Sequence, residues 1–180
     1  MLEDHWLLFR LKRGNPDALR QIYEKYKDEL LALSLSLSQD KATAEDVLHD
    51  VMISFTEHAP ELQLRTNLKS YLSSCIVNRI RNVHRAKPRA MVQLSHAETL
   101  SSDVHRPDRL AVRAELSRDI NKALNQVPYE QKEVIILHLQ SGMKFKTIAD
   151  VQGVSMNTVQ SRYRYGLDKL RTLLNGTVQK

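Results

Sequence analysis

Apolar residues recur every three to four positions along most of this chain, which is the spacing of one face of an α-helix. The spacing predicts a first helix from about Asp4 to Arg13 and a second from about Asp17 to Ser38, separated by the stop Gly14-Asn15-Pro16. Because only five glycines and five prolines occur in 180 residues, we expect an all-α fold. The second helix is expected to bury Leu19, Ile22, Tyr23, Tyr26, Leu30, Leu33 and Leu37.

A third helix is predicted to begin at Thr43, which forms a capping-box pattern with Asp46, and to run to about His58. Acidic groups near a helix N-terminus are favoured by the helix dipole. The outer face of this helix is therefore either a solvated helix end or a docking surface for a basic partner. That acidic face consists of Glu45, Asp46, His49 and Asp50, opposite the buried positions Val47, Leu48, Val51 and Phe55.

Pro60 is expected to end the third helix, and residues 61–66 to form an irregular loop before a fourth helix. The C-terminal half of this helix has a cluster of cations and amides that is richer than dipole balance requires, which favours contact with phosphates. The cluster contains Asn78, Arg79, Arg81, Asn82, His84 and Arg85 and is followed by Lys87 and Arg89. The buried stripe is predicted at Leu68, Tyr71, Leu72, Cys75, Ile76, Ile80 and Val83.

The helical period fails from about Pro88 to Asp108, which predicts a linker between two helical domains. We expect domains at 1–88 and 108–180, with the linker at 89–107. The second domain is predicted to open with a helix that buries Leu116, Ile120, Ala123, Leu124 and Val127. A helix from about Glu130 to Gln140 follows, with Gly142 as its C-cap. Its apolar positions, expected to be buried all round, are Val134, Ile135, Ile136, Leu137 and Leu139.

Between Lys146 and Arg162 the pattern predicts a short helix, a tight turn at Gly153 and a second helix capped by Ser155. This is typical of a helix-turn-helix that lays its second helix in a DNA groove, and the alternative is an ordinary pair of antiparallel helices. The buried stripe of the second helix is predicted at Val159, Tyr163, Leu167, Leu170 and Leu174. The residues expected to reach bases and phosphates are Ser155, Asn157, Thr158, Gln160, Ser161, Arg164 and Tyr165.

The net charge of +6 and the pI near 9.5 favour an anionic polymer as partner. The single cysteine, Cys75, fits a reducing compartment. No apolar run approaches the roughly 20 residues of a membrane span, and the N-terminus lacks a signal-peptide pattern, so we expect a cytoplasmic protein without membrane insertion. The histidines are dispersed and no phosphate-binding glycine loop occurs, so no catalytic residue, metal or cofactor is predicted.

Four segments together resemble the extracytoplasmic function (ECF) group of sigma factors, the smallest members of the sigma-70 family. Ala44 to Val51 resembles the segment that grips the coiled-coil clamp of core RNA polymerase. Tyr71-Leu72 with Asn78 resembles the helix behind the loop that reads the minus-10 element. Val127 to Val134 and Asn157 to Arg162 resemble the signatures of the minus-35 domain.

The resemblance implies an RNA polymerase sigma factor that directs promoter-specific initiation and performs no catalysis of its own. It implies three partners: core polymerase, at its clamp and flap regions, promoter DNA, and an anti-sigma factor. Glu45, Asp46, His49 and Asp50 would bind core polymerase. The minus-10 contacts would be Leu62, Gln63, Leu64, Arg65, Thr66, Asn67, Asn78, Arg79, Arg81, Asn82 and Arg85. The helix that begins at Ser155 would read the minus-35 duplex.

Two other functions are compatible with the motifs. The chain could be a stand-alone regulator that binds duplex DNA as a dimer through the helix-turn-helix. It could also be a helical adaptor that makes no DNA contact, in which case Arg81 and Arg164 would have no role in function.

Overall fold

The computed structural model describes residues 2–64, 67–86 and 118–178, with side chains to residue 175. Helices, turns and short loops make up this part of the chain, which confirms the all-α prediction. The chain divides into two compact units, Met1–His96 and Ala97–Lys180. The predicted linker 89–107 lies outside the described residues, as do Lys87, Leu116 and two predicted loop residues, Arg65 and Thr66.

The first unit contains α1 (Leu2–Lys12), α2 (Pro16–Ser38), α3 (Lys41–His58) and α4 (Leu68–Ala86). The central helix is α2, which packs against each of the other three. Helix α1 buries Leu7, Leu8 and Leu11 against it. The side chains at the centre of the core include Ile22, Leu30, Leu33, Leu37, Phe55, Leu68, Leu72, Ile76 and Ile80.

Local backbone chemistry sets the helix ends in this unit. Gly14 has a φ of +76°, the Asn15 side chain accepts a hydrogen bond from the Asp17 N–H, and Pro16 opens α2. The predicted capping box at Thr43 was wrong. The N-cap of α3 is Asp40, whose carboxylate accepts the Thr43 N–H at 2.8 Å, because the helix begins two residues before Thr43.

Five positions of the apolar stripes predicted in the first unit are more exposed than the helical period suggested: Leu19, Tyr23, Tyr71, Cys75 and Val83. Tyr23 retains 39% of its exposure, because it lies toward the side of α2 that borders a groove next to α3. Tyr71 and Cys75 are half-buried, because they line an open pocket between α3 and α4. The period therefore identifies the buried side of each helix but not the edge of the contact with its neighbours.

The second unit contains helical residues 118–125 (α5), α6 (Tyr129–Leu139), α7 (Phe145–Gln152) and α8 (Met156–Val178). Helix α6 packs against α7 and α8. The prediction that Leu139 is buried was wrong, since it is 63% exposed at the last position of α6. The C-cap of α6 is Gln140, whose N–H donates to the Ile136 carbonyl, so the prediction of Gly142 was wrong. Gly142 instead forms the turn that follows the helix: its φ is +66°, and the Met143 N–H donates to the Leu137 carbonyl.

Helix α8 approaches α6 closely at Gly166. A Cβ atom at this glycine would lie 2.8 Å from Ile135 Cδ1 and 3.1 Å from Gln131 Cβ. Both distances are shorter than ordinary van der Waals contact. Gly166 therefore sets how closely the long helix of this unit packs on its partner.

Candidate nucleic-acid and protein interfaces

The acidic face of α3 is exposed to solvent, because Val47, Leu48 and Val51 on the other side of the helix are buried in the core. All four residues predicted at this face, Glu45, Asp46, His49 and Asp50, are exposed. Lys41 and Ala42 precede them at the start of the helix, and their side chains are exposed as well. The face can therefore contact a partner without rearrangement of the core.

An apolar groove between α2 and α3 runs beside this acidic face, and the sequence pattern did not predict it. Glu45 and His49 form part of its lining. Tyr23 and Ile53 border it and remain 39% and 50% exposed. An exposed aromatic ring and an exposed aliphatic side chain next to carboxylates are suited to a partner that combines apolar and basic groups.

Asp50 and Arg79 were predicted for two different surfaces, yet they form an ion pair between α3 and α4. The Arg79 Nε donates to Asp50 Oδ2 at 3.0 Å, and its Nη2 donates to the same oxygen. Both side chains are about half exposed. The pair joins the acidic face of α3 directly to the basic helix α4.

Four other polar residues in the C-terminal half of α4 share one face of the helix. Asn78, Arg81, Asn82 and Arg85 are separated by three, one and three positions, so they lie along one side of the helix. Asn78, Asn82 and Arg85 are exposed, and Arg81 is half-buried. We define these four residues as the α4 polar face, which can present two amides and two guanidinium groups to one ligand.

A pocket lies between α3 and α4 behind the Asp50–Arg79 pair, and Tyr71 and Cys75 form part of its lining. Burial raises the pKa of Tyr71 to about 12 and also raises the pKa of the Cys75 thiol. The thiol is therefore protonated at neutral pH. This protonation disfavours nucleophilic chemistry at Cys75.

The loop before α4 is held at both ends of its described part. The Leu62 N–H donates to the Ala59 carbonyl at 3.2 Å, and the Leu62 carbonyl accepts from Lys12 Nζ at 2.6 Å. At the other end, the Asn67 side chain accepts the Ser70 N–H at 2.7 Å and caps α4. Gln63 is exposed and Leu64 is half-buried. Asn67 was predicted only as a DNA contact, and its capping contact was not foreseen.

Helices α7 and α8 form the predicted helix-turn-helix. Gly153 ends α7 with a φ of +65°, and the Val154 N–H reaches back to the Ala149 carbonyl. Ser155 Oγ accepts the Thr158 N–H at 3.1 Å, as the predicted cap requires. The same Ser155 oxygen lies 2.9 Å from the Thr158 hydroxyl, so these two side chains are already engaged at the start of α8.

The outer face of α8 is polar, as predicted. Asn157, Gln160, Arg164 and Tyr165 are exposed, and Ser161 is half-buried. The Arg164 guanidinium lies over the Tyr165 ring, 5.1 Å from its centre. Hydrogen-bonding amides and a guanidinium along one exposed helix are the side chains that read base edges and phosphates in DNA.

A hydrogen-bond network behind the helix-turn-helix was not predicted. Gln152 Nε2 donates to the Glu133 carboxylate at 2.9 Å, and Gln152 Oε1 accepts from Arg162 Nη1 at 2.7 Å. Glu133 is only 1% exposed. The network links α6, α7 and α8, and it directs Arg162 toward Gln152, away from the outer face. The sequence pattern could not reveal this role of Gln152 and Arg162, because it depends on how the three helices pack.

No helix in the described part of the chain is long and apolar enough to cross a membrane. Within the same ranges, no group of three or more histidine, cysteine, aspartate or glutamate side chains is placed to hold a metal ion.

Comparisons with known proteins match two models of one family. Residues 22–90 match the model described as sigma-70 region 2, and residues 117–170 match the model described as sigma-70, region 4. The chain is similar to the ECF RNA polymerase sigma factor EcfG of Rhodopseudomonas palustris, with 26% identity over 88% of this chain and 86% of that protein. It is also similar to the RNA polymerase sigma-H factor of Pseudomonas aeruginosa, with 24% identity over 93% of each chain.

Two solved structures share the fold. One is CnrH in complex with the cytosolic domain of CnrY, with a TM-score of 0.72 and 21% identity over 97% of this chain and 98% of that one. The other is the sigma factor RpoE of Bartonella quintana in complex with the anti-sigma factor NepR, with a TM-score of 0.73 and 24% identity. That match covers 87% of this chain and 96% of the RpoE chain.

Proposed function

This chain belongs to the ECF group of the sigma-70 family and is an RNA polymerase sigma factor, and we propose that its two units make separate promoter contacts. The first unit would bind core polymerase and open the minus-10 region, and the second would anchor the minus-35 duplex. The observation that carries the role of the first unit is that α3 has an acidic face and the adjacent α4 has a basic polar face. Both helices lie in the region that matches sigma-70 region 2.

The acidic face of α3, together with the apolar groove beside it, is the proposed site for the polymerase clamp. The exposed carboxylates of Glu45, Asp46 and Asp50 would pair with basic groups of the clamp, while Tyr23 and Ile53 would supply apolar contact. Exposed charges of this kind mainly raise the association rate and set the orientation, and the apolar contacts lower the dissociation rate.

The α4 polar face and the loop Leu62 to Asn67 are the proposed minus-10 site. Opening a promoter requires bases of the non-template strand to leave the stack, at a cost of a few kcal/mol each. Asn78 would hydrogen-bond an extruded base, and Arg81 and Arg85 would hold the backbone phosphates. Arg79 already donates two of its N–H groups to Asp50, so a full contact of its guanidinium with DNA would compete with that ion pair.

The outer face of α8 is the proposed minus-35 reader, with the second unit also meeting the flap region of polymerase. Asn157, Gln160 and Arg164 are the residues expected to set its sequence preference. Ser155 and Thr158 would act mainly by fixing the start of the helix, since their side chains bond to each other.

The regulation proposed for this chain follows its structural neighbours, which were solved with an anti-sigma factor or with the cytosolic domain of a partner. An anti-sigma factor would bind this chain and withhold it from polymerase. The chain would act in the cytoplasm, where its polymerase works, as a dissociable subunit without catalytic activity or cofactor.

The test is transcription by purified core polymerase with and without this protein, with the 5′ ends of the transcripts sequenced. Promoter-dependent transcripts should appear only when the protein is added. Arg81→Ala and Arg164→Ala should each reduce them, and Lys122→Ala, which alters an exposed lysine 3.9 Å from Asp119 on α5, should not. Normal transcription by both arginine variants would contradict the DNA contacts proposed for α4 and α8.

A gel shift on promoter duplex without polymerase tests the alternative of a stand-alone regulator. The isolated protein should bind only weakly and should lose binding steeply as salt increases. Tight binding as a dimer, together with failure to direct initiation, would favour the regulator.

A further inference from the structure

The exposed side of α1 carries an apolar stripe that lies opposite its buried side. Leu2, Trp6 and Phe9 are four and three positions apart, so they share one side of the helix. Arg13 follows four positions after Phe9 and continues the same line. Trp6 and Phe9 are 54% and 50% exposed, and Leu2 is exposed as well. Single apolar residues at a surface are ordinary, but a contiguous row of them marks a binding surface.

Two guanidinium groups cover the aromatic rings of this stripe. Arg10 Cζ lies 4.5 Å from the centre of the Trp6 ring, and Arg13 Cζ lies 4.2 Å from the centre of the Phe9 ring. Both distances are within the range of cation–π attraction. Each ring is therefore presented together with a positive charge. We define Trp6, Phe9, Arg10 and Arg13 as the α1 stacking face.

The two carboxylates of α1 do not offset this charge, because they are paired with α2. Lys25 Nζ lies 2.6 Å from Glu3 Oε2 and 2.8 Å from Asp4 Oδ1. The Tyr26 hydroxyl donates to the same Asp4 oxygen at 2.8 Å. These bonds also attach the start of α1 to α2, which leaves the α1 stacking face directed to solvent.

The C-terminal end of α1 adjoins the proposed minus-10 site. Lys12 Nζ donates to the Leu62 carbonyl at 2.6 Å, and Leu62 is the first residue assigned to that site. Arg13 follows Lys12 directly in the chain. The α1 stacking face therefore starts close to the proposed path of the melted strand and extends along the helix for about 10 Å.

We propose that the α1 stacking face binds single-stranded DNA of the open promoter, beyond the bases held by α4. The proposal rests on the proposed function, which assigns the minus-10 strand to the first unit. Aromatic rings stack on unpaired bases of any sequence, and guanidinium groups contact the phosphates between them. A basic protein partner, or a second copy of this chain, would be repelled by Arg10 and Arg13. Because paired bases are stacked on each other, the contact would form only after the duplex opens and would stabilise the open state.

The experiment measures how long an open complex survives. Holoenzyme assembled with the full-length protein is bound to a promoter whose melted region is held open by mismatches, and dissociation is followed after addition of heparin. Trp6→Ala and Phe9→Ala should each shorten the half-life about five-fold or more, which is the effect of losing one stacked base. Trp6→Phe, which keeps a ring, should retain most of the half-life.

Removal of single bases locates the contact on the strand. Abasic sites are placed one at a time in the non-template strand. At one position the abasic site should shorten the half-life with the natural protein and have no further effect with Trp6→Ala, because the ring and the base act as a pair. If every abasic site had the same effect on both proteins, the inference would be wrong.

Leu139→Ala is the control, because it removes an exposed apolar side chain from the second unit. It should leave the half-life unchanged. Trp6→Ala should keep the core affinity and the unfolding midpoint of the natural protein. A weaker affinity of Trp6→Ala for core polymerase without DNA would mean that the face contacts protein, and a normal half-life would mean that it does not contact the strand. Either result overturns the inference.

Trp6 is the sole tryptophan of the chain, so its fluorescence reports on this face in the free full-length protein. A single-stranded oligonucleotide at low salt should quench the emission. If phosphatidylglycerol vesicles shift the emission and the oligonucleotide does not change it, the face binds a lipid surface and the inference is overturned.

Asn78→Ala and Arg81→Ala test the premise independently. If both variants keep the normal half-life, the assignment of the minus-10 site fails, and this inference fails with it. If they shorten the half-life while Trp6→Ala and Phe9→Ala do not, only the role of the α1 stacking face is refuted.

Discussion

Arg79 of α4 donates two hydrogen bonds to one carboxylate oxygen of Asp50 on α3, so a residue of the proposed polymerase-binding face holds a residue of the proposed DNA-binding helix. A basic group of polymerase that bound Asp50 would compete with Arg79 and release its guanidinium. Polymerase binding at Asp50 would in that case make more of the Arg79 guanidinium available to DNA.

Reversing the charge of Asp50 should separate its contribution to binding from its contribution to folding. Asp50→Arg should weaken core binding, while the free energy of unfolding should change by no more than about 1 kcal/mol, because the pair is half exposed and screened by solvent. Fluorescence anisotropy with labelled core polymerase and urea unfolding measure the two effects.

The double variant Asp50→Arg with Arg79→Asp is the control, since it restores an ion pair with the charges exchanged. It should recover the stability of the natural protein and still bind core polymerase weakly. Recovery of core binding by the double variant would mean that the pair serves only the structure.

Gly166→Ala should destabilise the second unit, although alanine normally favours helix over glycine by about 1 kcal/mol. The new Cβ would meet Ile135 Cδ1 at 2.8 Å and Gln131 Cβ at 3.1 Å, and the second of these is attached directly to the backbone of α6. We expect a net loss of about 1 to 2 kcal/mol from overpacking, measured by chemical unfolding. Lys169→Ala, on the exposed side of α8, should be nearly neutral. A stabilised Gly166→Ala protein would show that the two helices separate easily.

Gln152→Leu should weaken both the fold of the second unit and minus-35 binding. The substitution removes the bonds from Gln152 to Glu133 and from Arg162 to Gln152, and it leaves the Arg162 guanidinium without its 2.7 Å partner. The cost should be about 1 to 3 kcal/mol, as for other disrupted polar contacts of charged groups. Gln160→Leu changes an exposed glutamine of α8 and should alter promoter affinity but not the unfolding midpoint. Equal midpoints for the two variants would contradict a role for the network.

Lys132 should make stability depend on pH in the alkaline range. It is 5% exposed, and burial lowers its pKa to about 8. Its ordinary value is near 10.5, so between these two pH values the unfolded chain binds a proton that the folded chain has released. The free energy of unfolding should therefore rise as pH increases through this window. The charged form is fully present, and its burial cost is greatest, below pH 8.

Comparison with Lys132→Met isolates this contribution from the other groups that titrate in the same range. The variant should be more stable than the natural protein at pH 7, by as much as about 3 kcal/mol, and the difference should shrink as pH approaches 10. Urea unfolding at several pH values provides the measurement. A constant difference across the range would show that Lys132 does not lose its proton on folding.

The sequence by itself determined the helices, the helix-turn-helix and the residues of each polar face, because these follow from interactions within a few residues. Gly153 requires its positive φ and Ser155 its bond to Thr158 wherever the segment is placed. The same locality explains two errors. Asp40, three residues before Thr43, is the N-cap of α3, and Leu139 is exposed because it lies at the last position of α6.

Only the tertiary structure decided which of these residues meet. Asp50 is 29 residues from Arg79, Lys12 is 50 from Leu62, and Gln152 is 19 from Glu133. The exposure of Tyr23 depends on where the groove between α2 and α3 lies. Such pairings depend on the angles and offsets at which helices pack, and many arrangements of side chains are compatible with the same helical period. The sequence therefore predicted both surfaces, and the packing of α3 on α4 decided that they are connected.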